Sequence, residues 1–286
     1  VSVPIARAAA DPPPEPEPLP RPALVQATAP GMPGIDLLRL LAVAAIAWFH
    51  AGGPFSEYLG FRLPAVALVT SLVVSRSARW APRRVLVPWA IWYAVYLAAL
   101  LFRLREQSWG GAAELRWHQL LLSGPAPHLW YAPFALMAGW LVTRFASAAT
   151  GWILGAVALA SAVAVAMRGL PYPGPQWGMV LPAIPAGMLL ARKDAPRWAL
   201  LALVAATTAA LGLRYAIAVA LVLGVSRWEG PRLRRLAEVG RGVYWSHVLV
   251  ILLLHKLGTS NPVVALAGAG AAALGLSATP WGRRAL

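Results

Sequence analysis

The sequence predicts an all-α fold, a polytopic transmembrane helical bundle of about ten helices with the N- and C-termini cytoplasmic. Three observations predict it. Hydrophobic residues make up 59% of the 286-residue chain and charged residues only 12%, about half the charge of a soluble domain. Apolar segments of membrane length, or close to it, recur from Gly34 onward. Basic residues gather in alternate loops, as the positive-inside rule requires.

Residues 1–33 contain ten prolines, in runs such as DPPPEPEPLPRP. A segment this poor in apolar side chains reads as a disordered, polyproline-like tail. It lacks the apolar run of a secretory signal. The first methionine is Met32; the expectation is that the natural protein starts there or that Val1 reflects a non-AUG start, which N-terminal sequencing of the native protein decides.

The membrane domain is expected over 34–278. Its apolar segments lie near 35–52, 60–75, 85–102, 129–147, 151–167, 176–191, 198–212, 215–227, 241–256 and 261–277. The seventh and eighth are short and split by Gly212–Leu213–Arg214, which suits either a tight hairpin or one bent element. The small-residue run GAGAAALG near 268–275 reads as helix packing. Residues 279–286 form a short basic tail.

With the N-terminus placed in the cytoplasm, the inner loops hold 15 basic residues and the outer side 7. The formal charge of +15 is therefore mostly a topology signal and not a nucleic-acid footprint. Many of the 14 tryptophans fall near segment ends, as interfacial belts require. The chain has no cysteine, which excludes disulfides, thiolate catalysis and cysteine-held metals. No spacing suggests a zinc site, a phosphate-binding loop or a nucleophile elbow.

The first segment, GIDLLRLLAVAAIAWFH, carries Arg39 and His50. An arginine at membrane depth costs about 2.5–3.5 kcal/mol on insertion scales. The eleven-residue separation returns the helix about 20° past three turns, so both side chains share one face, roughly 16 Å apart along the axis. Asp36 joins that face one turn before Arg39 and can pair with it. His50 can act as a general base or sit as a helix-end histidine among headgroups. Arg39 with Asp36 is either a structural ion pair or an anchor for an anionic ligand. The cluster RSARWAPRR, with Arg79, Arg83 and Arg84, suits phosphate binding and equally the positive-inside pattern. His128 with Trp130 and Tyr131 can edge a pocket on the outer side or belong to an aromatic belt. His247 lies about two turns into the ninth segment. His118 and His255 carry no pattern and read as surface or interface residues.

Four stretches in this order resemble the membrane-bound acyltransferase 3 family: GIDLLRLLAVAAIAWFH with its Arg, ten residues, then His; RRVLVPWAIWYAVYL over 83–97; HLWYAPFALMAGWL over 128–141; and GVYWSHVLVILLL over 242–254. The chain departs from that family at Thr70–Ser71–Leu72, where many members carry Ser-Gly-Phe/Tyr. It departs again at Ala81, where an Arg-x-x-Arg spacing ending at Arg84 needs arginine. The resemblance implies a ten-helix O-acyltransferase of the bacterial plasma membrane. It would move an acyl group, often acetyl, from cytoplasmic acyl-CoA to a hydroxyl of an extracytoplasmic carbohydrate or glycolipid. It implies that His50 is the catalytic base and Arg39, with Asp36 beside it, its essential partner position. Arg79, Arg83 and Arg84 would hold the CoA phosphates, and His128, Trp130, Tyr131 and His247 would lie on the substrate pathway. No permanently bound cofactor and no metal is implied. Two other classes stand beside this reading: a small-anion transporter using Arg39, which requires broken helices, and a non-catalytic membrane scaffold.

Overall fold

Prolines, glycines and charge-rich turns cut the apolar sequence into helices, and among the described residues every regular element is helical. The computed structural model describes residues 32–77, 80–106, 120, 124–126, 128–228, 230, 233–280 and 282. The Pro-rich tail before Met32, Arg79, His118 and the last four residues of the basic tail lie outside them.

Helix α1 (Pro33–His50) opens with proline at its first position, where the missing N–H is no loss. It ends where Gly52 turns to φ 68° and the Trp48 ring folds over Gly53, held by Nε1 donating to the Pro54 carbonyl at 3.0 Å. A Cβ on Gly53 would lie 2.2 Å from that indole, so only glycine fits beneath it. A short 3-10 turn (Ser56–Leu59) leads into α2 (Arg62–Ser77). Then come α3 (Arg83–Glu106), α4 (Tyr131–Arg144) and α5 (Thr150–Ala166).

The expected sixth segment is broken in two, α6 (Gly174–Val180) and α7 (Ala183–Ala191). Pro182 and Pro185 each remove a backbone N–H from the helical ladder, which accounts for the break. Next follow α8 (Arg197–Leu211) and α9 (Leu213–Ser226), joined through Gly212 alone at φ 84°, ψ −179°. That conformation is essentially open to glycine only. Leu200 near the start of α8 and Ser226 at the end of α9 line one cavity, so the two helices double back as a tight hairpin. The last helices are α10 (Arg234–Lys256) and α11 (Pro262–Ala278), whose N-cap Asn261 accepts from the N–H groups of Val263 and Val264.

Helix α2 is the hub, packing against α1, α4, α6, α7 and α9. Its tightest neighbour is α7: a Cβ on Gly187 would lie 2.5 Å from the Ser71 Cβ and 2.9 Å from the Leu68 carbonyl oxygen. The departure at Thr70–Ser71–Leu72 thus sits in this seam. Helices α10 and α11 pack on α1, and Ala265, Ala269 and Ala273, at every fourth position, are the buried residues of α11. The small-residue expectation holds for this stripe and for Gly268, which lies against Val250, while Gly270 and Gly275 meet open space.

Chain direction alternates. One end of the bundle gathers the starts of α1 and α5 and the ends of α2, α7 and α9, tied through Arg76 and Arg192. The other end gathers the end of α1 and the starts of α2, α4 and α6 around a single cavity. Five helical stretches are long and apolar enough to cross a membrane: Pro33–His50, Ser56–Ser77, Arg83–Arg103, Thr150–Gly169 and Arg235–Lys256.

Candidate functional site

Three histidines remote in sequence meet at the second end. His50 is the last residue of α1, His128 stands in the turn before α4, and His247 lies inside α10. The His50 and His247 rings have centroids 5.4 Å apart, and His128 and His247 4.8 Å. His50 and His128 line a cavity of about 220 Å³ with Arg62, Trp130, Tyr131 and Gln176. His50 is exposed, whereas His128 and His247 are buried.

The hydrogen bonds settle one tautomer. His247 Nδ1 lies 3.0 Å from the Val243 carbonyl oxygen and 2.8 Å from that of Tyr244. Carbonyls only accept, so the proton is on Nδ1 and Nε2 keeps its lone pair. That Nε2 is buried with no hydrogen-bond partner, as are both ring nitrogens of His128. The His128 imidazole is held well below the usual histidine range, first by burial and then by the neighbouring His247 and His50. It therefore stays neutral at ordinary pH. Buried polar atoms normally find partners; three such atoms belong to the cavity lining, both His128 nitrogens and Gln176 Oε1, and His247 Nε2 stands behind them.

Aromatic side chains hold the arrangement. The Tyr244 hydroxyl donates to the His128 carbonyl, and the Tyr96 hydroxyl donates to the Trp245 carbonyl at 2.7 Å while accepting from the Leu249 N–H at 3.2 Å. The Tyr131 hydroxyl bonds the Val66 carbonyl at 3.0 Å and Thr70 Oγ1 at 2.6 Å. Arg39 is half-buried in the first half of α1, and Asp36 is buried with Oδ2 lacking a partner. His50, His128, Trp130, Tyr131 and His247 are thus brought together, while Arg39 lies eleven residues before His50 on α1 and lines neither cavity.

The basic cluster is dispersed differently. Arg83 and Arg84 are exposed in the first turn of α3 and line neither cavity described here. A second cavity, of about 320 Å³ at the opposite end of the bundle, is lined instead by Arg76, Arg192, Lys193 and Arg227. Arg76 donates to the carbonyls of Ala191 at 3.4 Å and Ser226 at 3.1 Å. Arg192 donates to Thr150 Oγ1 at 3.2 Å and to the Ala148 carbonyl. His255 is exposed in the last turn of α10.

Sequence reasoning missed Arg62, Tyr96, Gln176 and the role of Tyr244. A signal existed for two of them. Arg62 stands on the side where arginines are scarce, and Tyr244 precedes His247 by three residues, hence shares its helical face.

No protein-family model matches the chain, and no curated protein or solved structure is similar to it.

Proposed function

We propose that the chain is a polytopic membrane O-acyltransferase, with both termini cytoplasmic, that moves an acyl group from acyl-CoA to a hydroxyl of an extracytoplasmic carbohydrate or glycolipid. The observation that carries this reading is the cavity lined by His50 and His128, with the His247 ring packed against both and Tyr131 in its wall. The membrane part is supported by the span Arg83–Arg103, only 17% of whose apolar window is buried, and by Thr150–Gly169 at 22%. Apolar helices this bare need lipid on their outer faces. Exposed Trp140, Trp152, Trp198 and Trp228 lie toward the basic end, as an interfacial belt would.

In this mechanism His50 takes the proton of the acceptor hydroxyl as its oxygen attacks the thioester carbonyl. The new C–O ester bond forms, the C–S bond breaks, and the CoA thiolate leaves and recovers that proton. His247, fixed as the Nδ1–H tautomer, keeps a lone pair beside the His50 ring. The donor's phosphates meet arginines at the opposite end, at Arg83 and Arg84 and at the cavity of Arg76, Arg192, Lys193 and Arg227. The roughly 16 Å rise from Arg39 to His50 matches an extended pantetheine arm.

The test is incubation of the purified full chain with radiolabelled acetyl-CoA and a panel of glycans. Labelled ester from the native chain but not from His50→Ala supports the reading. Equal product from both overturns the role of His50. A second reading, a small-anion transporter, is favoured by the broken α6–α7 element. It requires anion flux into vesicles without any ester product.

A further inference from the structure

Two arginines open helices at the histidine end. Arg62 begins α2, and Arg214 is the second residue of α9. A helix N-terminus already carries about half a positive charge, so a cation there is disfavoured without a compensating anion. Among the described residues neither arginine is paired with a carboxylate, and no aspartate or glutamate lines the cavity.

Arg62 is only 9% exposed. Its guanidinium lies over the Phe49 ring at 3.9 Å and donates from Nη1 to the Leu59 carbonyl at 2.9 Å. One contact to a carbonyl leaves most of its five N–H donors for another partner. The two arginine charges act on each other, and that of Arg62 acts on His50. Arg214 presses close enough that a Cβ on Gly60 would lie 2.3 Å from its side chain. Across the cavity Gln176 Oε1 and the His128 nitrogens are buried without partners. The lining therefore offers one strong anion contact and several neutral sites suited to hydroxyls.

We propose that the acceptor held in this cavity carries an anionic group, a sugar carboxylate or a phosphate ester, bound by Arg62 with a neighbouring hydroxyl turned toward His50. This rests on the reading of the cavity as the acceptor site. A bidentate guanidinium contact would both neutralise the cation and set the sugar's orientation.

The experiment is titration calorimetry of the full chain in lipid nanodiscs with three matched sugars: methyl glucoside, methyl glucuronide and methyl glucoside 6-phosphate. The proposal expects at least one anion to bind about tenfold or more tightly than the neutral sugar, with the preference shrinking as salt is added. Preference for the glucuronide alone identifies a carboxylate, and for the phosphate alone a phosphate ester. Arg62→Gln abolishes the preference, bringing the affinity for both anions down to that for the glucoside, and Arg214→Gln reduces it. If Arg62→Gln does not fold, Arg62→Lys replaces it, and the preference must still fall because a point charge replaces a planar fork. Equal affinities, no binding of any sugar, or a preference surviving at Arg62 overturn the proposal. Binding is read without acyl transfer, so absence of labelled ester from acetyl-CoA defeats the transferase reading and leaves this measurement intact.

Discussion

Arg76 and His247 both carry polar nitrogen into the helix bundle, and they use it in opposite ways. Arg76 donates to carbonyls at the ends of α7 and α9, groups that a helix C-terminus leaves without intrahelical partners. Arg192 does the same for the turn before α5. At the histidine end, His247 fixes one nitrogen on backbone carbonyls and leaves the other open, and His128 leaves both open. At the basic end these two arginines thus hold helix ends together. The histidine end keeps buried polar atoms unsatisfied at a cost of about 1–3 kcal/mol each, which makes sense where a ligand completes them.

The largest break in this comparison is His50→Ala. Acyl transfer falls about 10²–10⁴-fold, the usual worth of a general base, while the thermal unfolding midpoint of the purified protein hardly moves, since His50 is exposed and makes no hydrogen bond among the described residues. Arg76→Leu gives the reverse pattern. It costs about 2–3 kcal/mol of stability by orphaning two helix-end carbonyls, seen as a lower unfolding midpoint in detergent, with transfer per folded molecule retained at saturating donor. Gly187→Ala tests the seam between α2 and α7 and costs about 1–3 kcal/mol through overpacking, again read by thermal unfolding. Tyr131→Phe is the mildest, removing the bonds to Val66 and Thr70 for about 1 kcal/mol. A loss of transfer much larger than that stability change would mark the tyrosine as part of the site and not only of its wall.

The ten apolar segments were readable because each carries its own period and its own punctuation. Gly212 marked the junction of the seventh and eighth segments, which the sequence left as either a hairpin or one bent element; its backbone angles, open essentially to glycine only, make it the hairpin. Loop charge also implied that His50 and His128 share one end, and alternation of chain direction in the structure agrees. Three features were harder to read. The break at Pro182 was visible as a proline, but whether a proline kinks or splits a helix depends on what fills the gap around it. The basic cavity joins residues 76, 192, 193 and 227, which no local pattern connects. The tautomer of His247 follows from backbone carbonyls one turn away, a geometry that spacing permits without requiring.

The hairpin of α8 and α9 has a further consequence. Helices of 15 and 14 residues reach about 22 Å, against a hydrocarbon layer of about 30 Å. A bilayer meeting this edge must dimple toward the protein, at a fraction of a kcal/mol for each ångström of mismatch. The turn of the hairpin stands beside the loop before α2, where Arg214 meets Gly60. On the proposed membrane reading the dimple would fall at the cavity mouth and lower the headgroup plane toward His50. Lipid chain length would then control access: thicker membranes would lift the lipid surface away from the imidazoles, and thinner ones would bring it closer.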